Sequence, residues 1–121
     1  MKALIVEDSE LLRRMVIRLL RRMFPDVEPW CAESADEAID HLRNATLDRG
    51  FDLVICDFNL VGVRTGADVL AWIQEHASYL EERFLFLTSD ERARALHPRF
   101  LEKPCDADVL RAAIEATVQR S

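Results

Sequence analysis

The chain lacks most of what would make it unusual. Its 121 residues hold three cysteines, Cys31, Cys56 and Cys105. An odd number at wide spacing forms neither a disulfide framework nor a zinc site, so three reduced thiols are expected. There is no internal repeat, low-complexity tract or Pro/Gly/Ser-rich linker, and the length suits one domain with one real core. No apolar run approaches the roughly 18 residues of a membrane span. "MKALIV" at the start is too short for a signal peptide and runs into acids, so a cytoplasmic protein is expected. Basic charge is also lacking. The net charge of −6 argues against a non-specific nucleic-acid binder, which would carry a positive field. What is present is ordinary for a globular fold: half the residues are hydrophobic and 31% are charged.

Short apolar runs alternate with helical patterns. "ALIV" (3–6), "LVIC" (53–56) and "FLFLT" (84–88) read as buried strands. "VEPWCA" (27–32) reads as an edge strand because of Pro29, and "RFLEK" (99–103) as a fifth strand. Ser9 opens a first helix whose Leu12, Met15, Val16, Leu19, Leu20 and Met23 share one face, and Pro25 stops it. "SADE" (34–37) matches a capping box and starts a helix running through Ala38, Ile39 and Leu42 towards Leu47. Gly66 leads into "ADVLAWIQEH", and Asp106 caps the last helix, "ADVLRAAIEATVQ". Strand and helix alternation predicts βαβ units and a parallel sheet covered on both faces.

Ligands of such sheets sit outside the carboxyl ends of the strands. Those ends carry Glu7 and Asp8, then Asp57, then Thr88, then Lys103. Three carboxylates, a hydroxyl and a lysine are thereby expected at one rim. Oxygen ligands alone favour Mg²⁺ over zinc. A carboxylate also serves as a covalent nucleophile and forms an aspartyl phosphate. Phosphoryl transfer asks mainly for position and positive charge, which Mg²⁺ and Lys103 would supply while Thr88 donates to a phosphoryl oxygen.

"LIVEDSELLRR", "DLVICDFNL", "FLTSD" and "FLEKPCDADVL", in this order along the whole chain, resemble the receiver domain of two-component response regulators, single-domain type. The resemblance implies the flavodoxin-like (βα)5 fold with strand order 2-1-3-4-5. It implies Asp57 as phosphoacceptor, with Glu7, Asp8, Asp57 and the backbone carbonyl of Asn59 as Mg²⁺ ligands. Thr88 would be the switch hydroxyl, Phe100 the rotating aromatic and Lys103 the phosphoryl contact, with Pro104 completing a Lys-Pro pair whose bond is usually cis. Leu11, Leu12, Met15 and Arg18 on the first helix would dock a sensor histidine kinase or histidine phosphotransfer protein, while the helix's five arginines are otherwise expected to be a solvated face. No nucleic-acid or membrane partner is implied, and the protein would act as an enzyme only on its own phosphoryl group.

Two departures from the family stand out. The loop after Asp57, "FNLVGVRTGADVL", lacks the usual proline near Val61 and carries Gly66 one residue late. Residues 89–102 alone must hold a loop, the fourth helix and the fifth strand, so the fourth helix is expected to be shortened or irregular and ended near Pro98. The rivals are a phosphorylation-independent module on the same fold and a receiver cut from a hybrid histidine kinase. Met1 lying directly on the first strand favours a stand-alone protein, and the chain's end at its last helix leads to the expectation of no output domain. A flavodoxin-like electron carrier is set aside, since "VEDSELL" is acidic and free of glycine where a flavin phosphate would sit. His41, His76 and His97 are expected to be solvated and away from the rim, and Cys56 to point into the core.

Overall fold

The structure is a computed structural model that describes residues 1–45 and 50–119. Five parallel strands, β1 (Lys2–Val6), β2 (Glu28–Ala32), β3 (Leu53–Cys56), β4 (Phe84–Thr88) and β5 (Phe100–Glu102), lie in the order 2-1-3-4-5. Among the described residues, four α-helices connect or follow them: α1 (Glu10–Met23), α2 (Ala35–Ala45), α3 (Gly66–His76) and α4 (Ala107–Gln119). This is the flavodoxin-like arrangement expected from the alternation of strands and helices. β2 is an edge strand, as Pro29 requires, because its missing N–H falls where a central strand would need a donor.

Period-two alternation sorts each strand between two cores. Leu4, Val6, Val54, Cys56, Phe84 and Phe86 face α2 and α3, where they meet Ala38, Leu42, Val69 and Ile73. Ala3, Ile5, Leu53, Ile55, Leu85 and Leu87 face the opposite way, towards Val16 and Leu20 of α1 and Leu110 and Ile114 of α4. Among the described residues, no helix is long and apolar enough to cross a membrane.

The helix starts follow local chemistry. Ser9 Oγ accepts from Leu12 N–H at 3.3 Å, and Asp106 Oδ1 accepts from Val109 N–H at 2.9 Å. Ser34 Oγ likewise accepts from Glu37 N–H at 3.1 Å, but Glu37 does not complete the expected box. Its carboxylate accepts from Glu33 N–H at 2.7 Å, one residue before the cap. The complete capping box lies instead at α3, between Thr65 and Asp68; the helix begins at Gly66 as expected, with Thr65 as its cap. The expected continuation of α2 to Leu47 falls outside the described residues.

The fourth crossover is short, as the count of residues required. A single 3-10 turn, Glu91–Ala95, stands where a helix of several turns would sit, with Asp90 Oδ1 accepting from Arg92 N–H at 3.0 Å. A second 3-10 turn, Ser78–Arg83, precedes β4 and had no signal in the apolar periodicity. His97 corrects the expectation of three solvated histidines. It is buried against Phe84 and Phe86, Nε2 donates to the Glu81 carbonyl at 2.8 Å, and Nδ1 accepts from Arg99 N–H at 3.0 Å. The short crossover buries little besides Ala93, and the imidazole fills the space under it with both ring nitrogens bonded. His41 is half-buried, lies edge-on to Trp30 and meets the Cys31 carbonyl at 3.1 Å, while His76 is exposed.

Candidate active site at the strand ends

Register brings the acids together. β1 pairs with β3 so that Val6 lies opposite Cys56, and Asp57 N–H continues the ladder to the Val6 carbonyl at 2.9 Å. Glu7 and Asp57 therefore leave adjacent strands side by side. On the other side, Lys103 N–H bonds the Thr88 carbonyl at 3.0 Å, which holds the end of β5 against β4. Strand parity places Glu7, Asp57 and Lys103 towards α1 and α4, and Thr88 and Phe100 towards α2 and α3.

Lys103 Nζ reaches across β4 and donates to Glu7 Oε1 at 2.6 Å and to Asp57 Oδ2 at 2.8 Å. Both carboxylates are buried, whereas Asp8 beside them is exposed. Ligand oxygens of Glu7, Asp8 and Asp57 all lie within 4.8 Å of one another. Such crowding is costly unless cations offset it. Burial pushes the Glu7 carboxyl up; the bonds from Lys103 and from Ser9 N–H pull it back, and Asp8 and Asp57 raise it further. Burial alone would lower the Lys103 ammonium, but its bonds to Asp57 and Glu7 outweigh this and hold it above its ordinary value. It therefore stays charged.

The loop after β3 is held from several directions. Asn59 N–H donates to Asp57 Oδ1 at 3.3 Å, and its side-chain amide donates to Asp90 Oδ2 at 3.1 Å. Gly66 N–H bonds the Phe58 carbonyl at 2.7 Å. A Cβ at Gly66 would collide with the Asp57 carbonyl and come within 2.9 Å of Phe58 Cα, so the start of α3 needs glycine to sit this close to the acceptor strand. Cys56 points into the core as expected; its Sγ donates to the Asp57 carbonyl at 3.1 Å, and burial holds the thiol well above its usual range.

Thr88 is fully buried, and its Oγ1 accepts from Asp90 N–H at 3.2 Å, which leaves the hydroxyl proton to donate. Phe100 is half-buried opposite Phe86 in the β4–β5 register. Lys103–Pro104 is a cis peptide. On α1, Leu11, Met15 and Arg18 are exposed, while Leu12 is half-buried and lines a groove of about 310 Å³ with Met15, Leu19, Pro104 and Leu110. The arginines of α1 are not all solvated. Arg13 folds back, Nη1 donating to the Glu7 carbonyl at 2.9 Å and Nη2 pairing with Glu33 at 3.4 Å, because one helical turn carries it directly over the acidic turn. No sequence pattern singles out this residue for the site, nor Asp90 and Arg92, which pair at 2.6 Å beside Asn59. The Arg92 bonds hold the Asp90 carboxyl well below the usual carboxylate range.

Known proteins share this fold. The chain is 40% identical over 55 residues to hybrid signal transduction histidine kinase E of Dictyostelium discoideum, a match spanning 46% of this chain and 3% of that much longer protein. The non-phosphorylated HemR receiver domain of Leptospira biflexa superposes with a TM-score of 0.79 at 25% identity, covering 99% of this chain and 95% of that one. The receiver domain of a Pseudomonas aeruginosa sensor histidine kinase, with a magnesium ion coordinated in its active-site cleft, has a TM-score of 0.77 at 18% identity and covers 97% and 96% of the two chains. The family model described as the response regulator receiver domain matches residues 3–115. With fold, register and match in agreement, this chain belongs to the response regulator receiver domain family of two-component signalling.

Proposed function

We propose that the protein accepts a phosphoryl group on Asp57 from a phosphohistidine of a sensor histidine kinase or histidine phosphotransfer protein. A carboxylate oxygen of Asp57 forms the new P–O bond, the P–N bond breaks, and the histidine keeps the electron pair and takes up a proton. The observation that carries this reading is the contact of Lys103 Nζ with both Asp57 and Glu7 in a pocket of three converging carboxylates. The donor set suits a hard divalent cation, and the magnesium reported in the Pseudomonas receiver is in keeping with it. Glu7, Asp8, Asp57 and the Asn59 carbonyl would hold Mg²⁺, which when bound offsets charge on the phosphoryl oxygens. Lys103 offsets further charge from the other side, and Thr88 donates its free proton to a phosphoryl oxygen. Binding of that oxygen draws Thr88, and with it the switch ring of Phe100, into a second arrangement that a partner reads.

Leu11, Leu12, Met15 and Arg18, next to the apolar groove by Pro104, form the docking face for the phosphohistidine partner. The likeness to a hybrid kinase supports a second reading, in which this receiver works inside such a phosphorelay. The domain would catalyse only its own phosphorylation and dephosphorylation. Intact mass spectrometry after acetyl phosphate treatment tests the proposal. A single Mg²⁺-dependent phosphoryl adduct mapping to Asp57 supports it, and no adduct, or one at another residue, overturns it in favour of a phosphorylation-independent module.

A further inference from the structure

The 3-10 turn that stands in place of the fourth helix carries two arginines, and each lies over a phenylalanine. The Arg92 guanidinium sits 4.8 Å from the centre of the Phe58 ring, beside the acceptor. The Arg94 guanidinium sits 4.7 Å from the centre of the Phe100 ring. Arg94 is held there by Glu102 of β5 at 3.8 Å and by Glu91 of its own turn at 4.0 Å. At its start the turn is bonded to the site: Asp90 N–H meets Thr88 Oγ1, and the Asp90 carboxylate holds both the Asn59 amide and Arg92. One short element therefore touches the acceptor loop at one end and the β5 aromatic at the other.

We propose that Arg94 is a clasp that holds the Phe100 ring in its half-exposed position in the unphosphorylated protein, and that Asp90 couples this clasp to Thr88 and Asn59. A full helix would cover this part of the sheet with its own apolar face. Here the turn buries Ala93, and the ring of Phe100 is covered by a cation and its two acids instead. Movement of Thr88 towards a phosphoryl oxygen pulls on Asp90 N–H, shifts the turn, and lifts Arg94 from the ring. The released ring is then free to follow Thr88 into the second arrangement, and the shifted turn changes the face, with its exposed Leu96, that a partner meets. An exposed cation–aromatic contact of this kind biases a two-state equilibrium by roughly two- to fivefold. Arg94 is thus a positioning residue, and this inference rests on the reading of Asp57 as acceptor and Phe100 as switch ring.

The test uses the whole chain labelled with 4-fluorophenylalanine, in which the Phe100 fluorine resonance is identified by its loss in Phe100→Leu. Arg94→Ala should shift that resonance towards its position in the acetyl phosphate-treated protein, and should raise the initial rate of Asp57 phosphorylation by roughly two- to fivefold. Arg94→Lys, which keeps a cation over the ring, should fall between Arg94→Ala and wild type in both readouts. Asp90→Ala keeps the N–H to Thr88 but loses the carboxylate bonds to Asn59 and Arg92, so phosphorylation should move the Phe100 resonance less than in wild type. An unmoved Phe100 resonance in Arg94→Ala overturns the clasp. If wild type takes no phosphoryl group, the acceptor reading fails by itself, while the resonance of unphosphorylated Arg94→Ala still reads the clasp.

Discussion

Replacing Lys103 with methionine removes one charge and little volume from the centre of the site. In wild type, Nζ lies 2.6 Å from Glu7 and 2.8 Å from Asp57, two buried carboxylates within 4.8 Å of Asp8. Without the ammonium, these acids face one another with no cation between them. Breaking a buried ion pair by deleting one partner costs about 3–5 kcal/mol. The Lys103 side chain is 23% exposed, so solvent screening brings the loss to the lower bound of that range or below it, about 2–3 kcal/mol. For a domain of this size that corresponds to a fall in Tm of about 8–12 °C. Bound Mg²⁺ should restore much of it. A cation at 100 times its Kd stabilises the folded state by about 2.7 kcal/mol, and in the variant it no longer shares the acids with an ammonium. Differential scanning calorimetry in chelator and in millimolar Mg²⁺ provides the measurement. Lys103→Met should melt well below wild type in chelator and show the larger upward shift with Mg²⁺. Equal melting of the two proteins in chelator, or a smaller Mg²⁺ shift in the variant, would refute the electrostatic account of the pocket.

Asp57→Asn should abolish phosphorylation by acetyl phosphate yet leave the Tm within a few degrees of wild type, because the lost bond to Lys103 is offset by relief of repulsion from Glu7 and Asp8; a retained adduct in the mass spectrum would contradict the assignment. His97→Ala should cost about 2–4 kcal/mol in urea unfolding, since it empties a buried site and leaves the Glu81 carbonyl and Arg99 N–H without their partner; a loss under 1 kcal/mol would mean the crossover does not depend on it. Burial raises the thiols of Cys31 and Cys105, so less thiolate is present near neutrality than for a free cysteine, and alkylation should be slower and should accelerate at higher pH than for a model thiol. Cys56, fully buried, should label only on unfolding; rapid labelling of all three at pH 7 would refute this order.

The sheet, its two faces and the rim residues could be read along the chain because each depends on short-range rules. A run such as Leu53 to Cys56 is apolar at every position because both faces of the strand are covered, and Asp57 follows it at the point where the strand emerges. Alternation of strands with helices then leaves few topologies, and right-handed crossovers with register bring Glu7, Asp57, Thr88 and Lys103 to one end. The short fourth crossover was legible by counting alone, since the residues between Thr88 and Lys103 are too few for a long helix as well as a strand.

What only the tertiary structure decided are contacts whose partners lie far apart in sequence or on opposite sides of a turn. Arg13 looks like any other arginine of α1, and it binds the Glu7 carbonyl only because α1 crosses back over the end of β1. His97 has the polarity of a surface residue, yet the space left by the missing helix and the free Glu81 carbonyl and Arg99 N–H make it a satisfied core group. Arg94 meets Phe100 because β5 returns beside β4 and sets the ring under the turn. Periodicity and the caps at Ser9 and Asp106 follow from the geometry of a few successive residues, and the sequence alone determined these. The bonding partner of a long polar side chain depends on which elements pack beside it, which only the assembled fold determined.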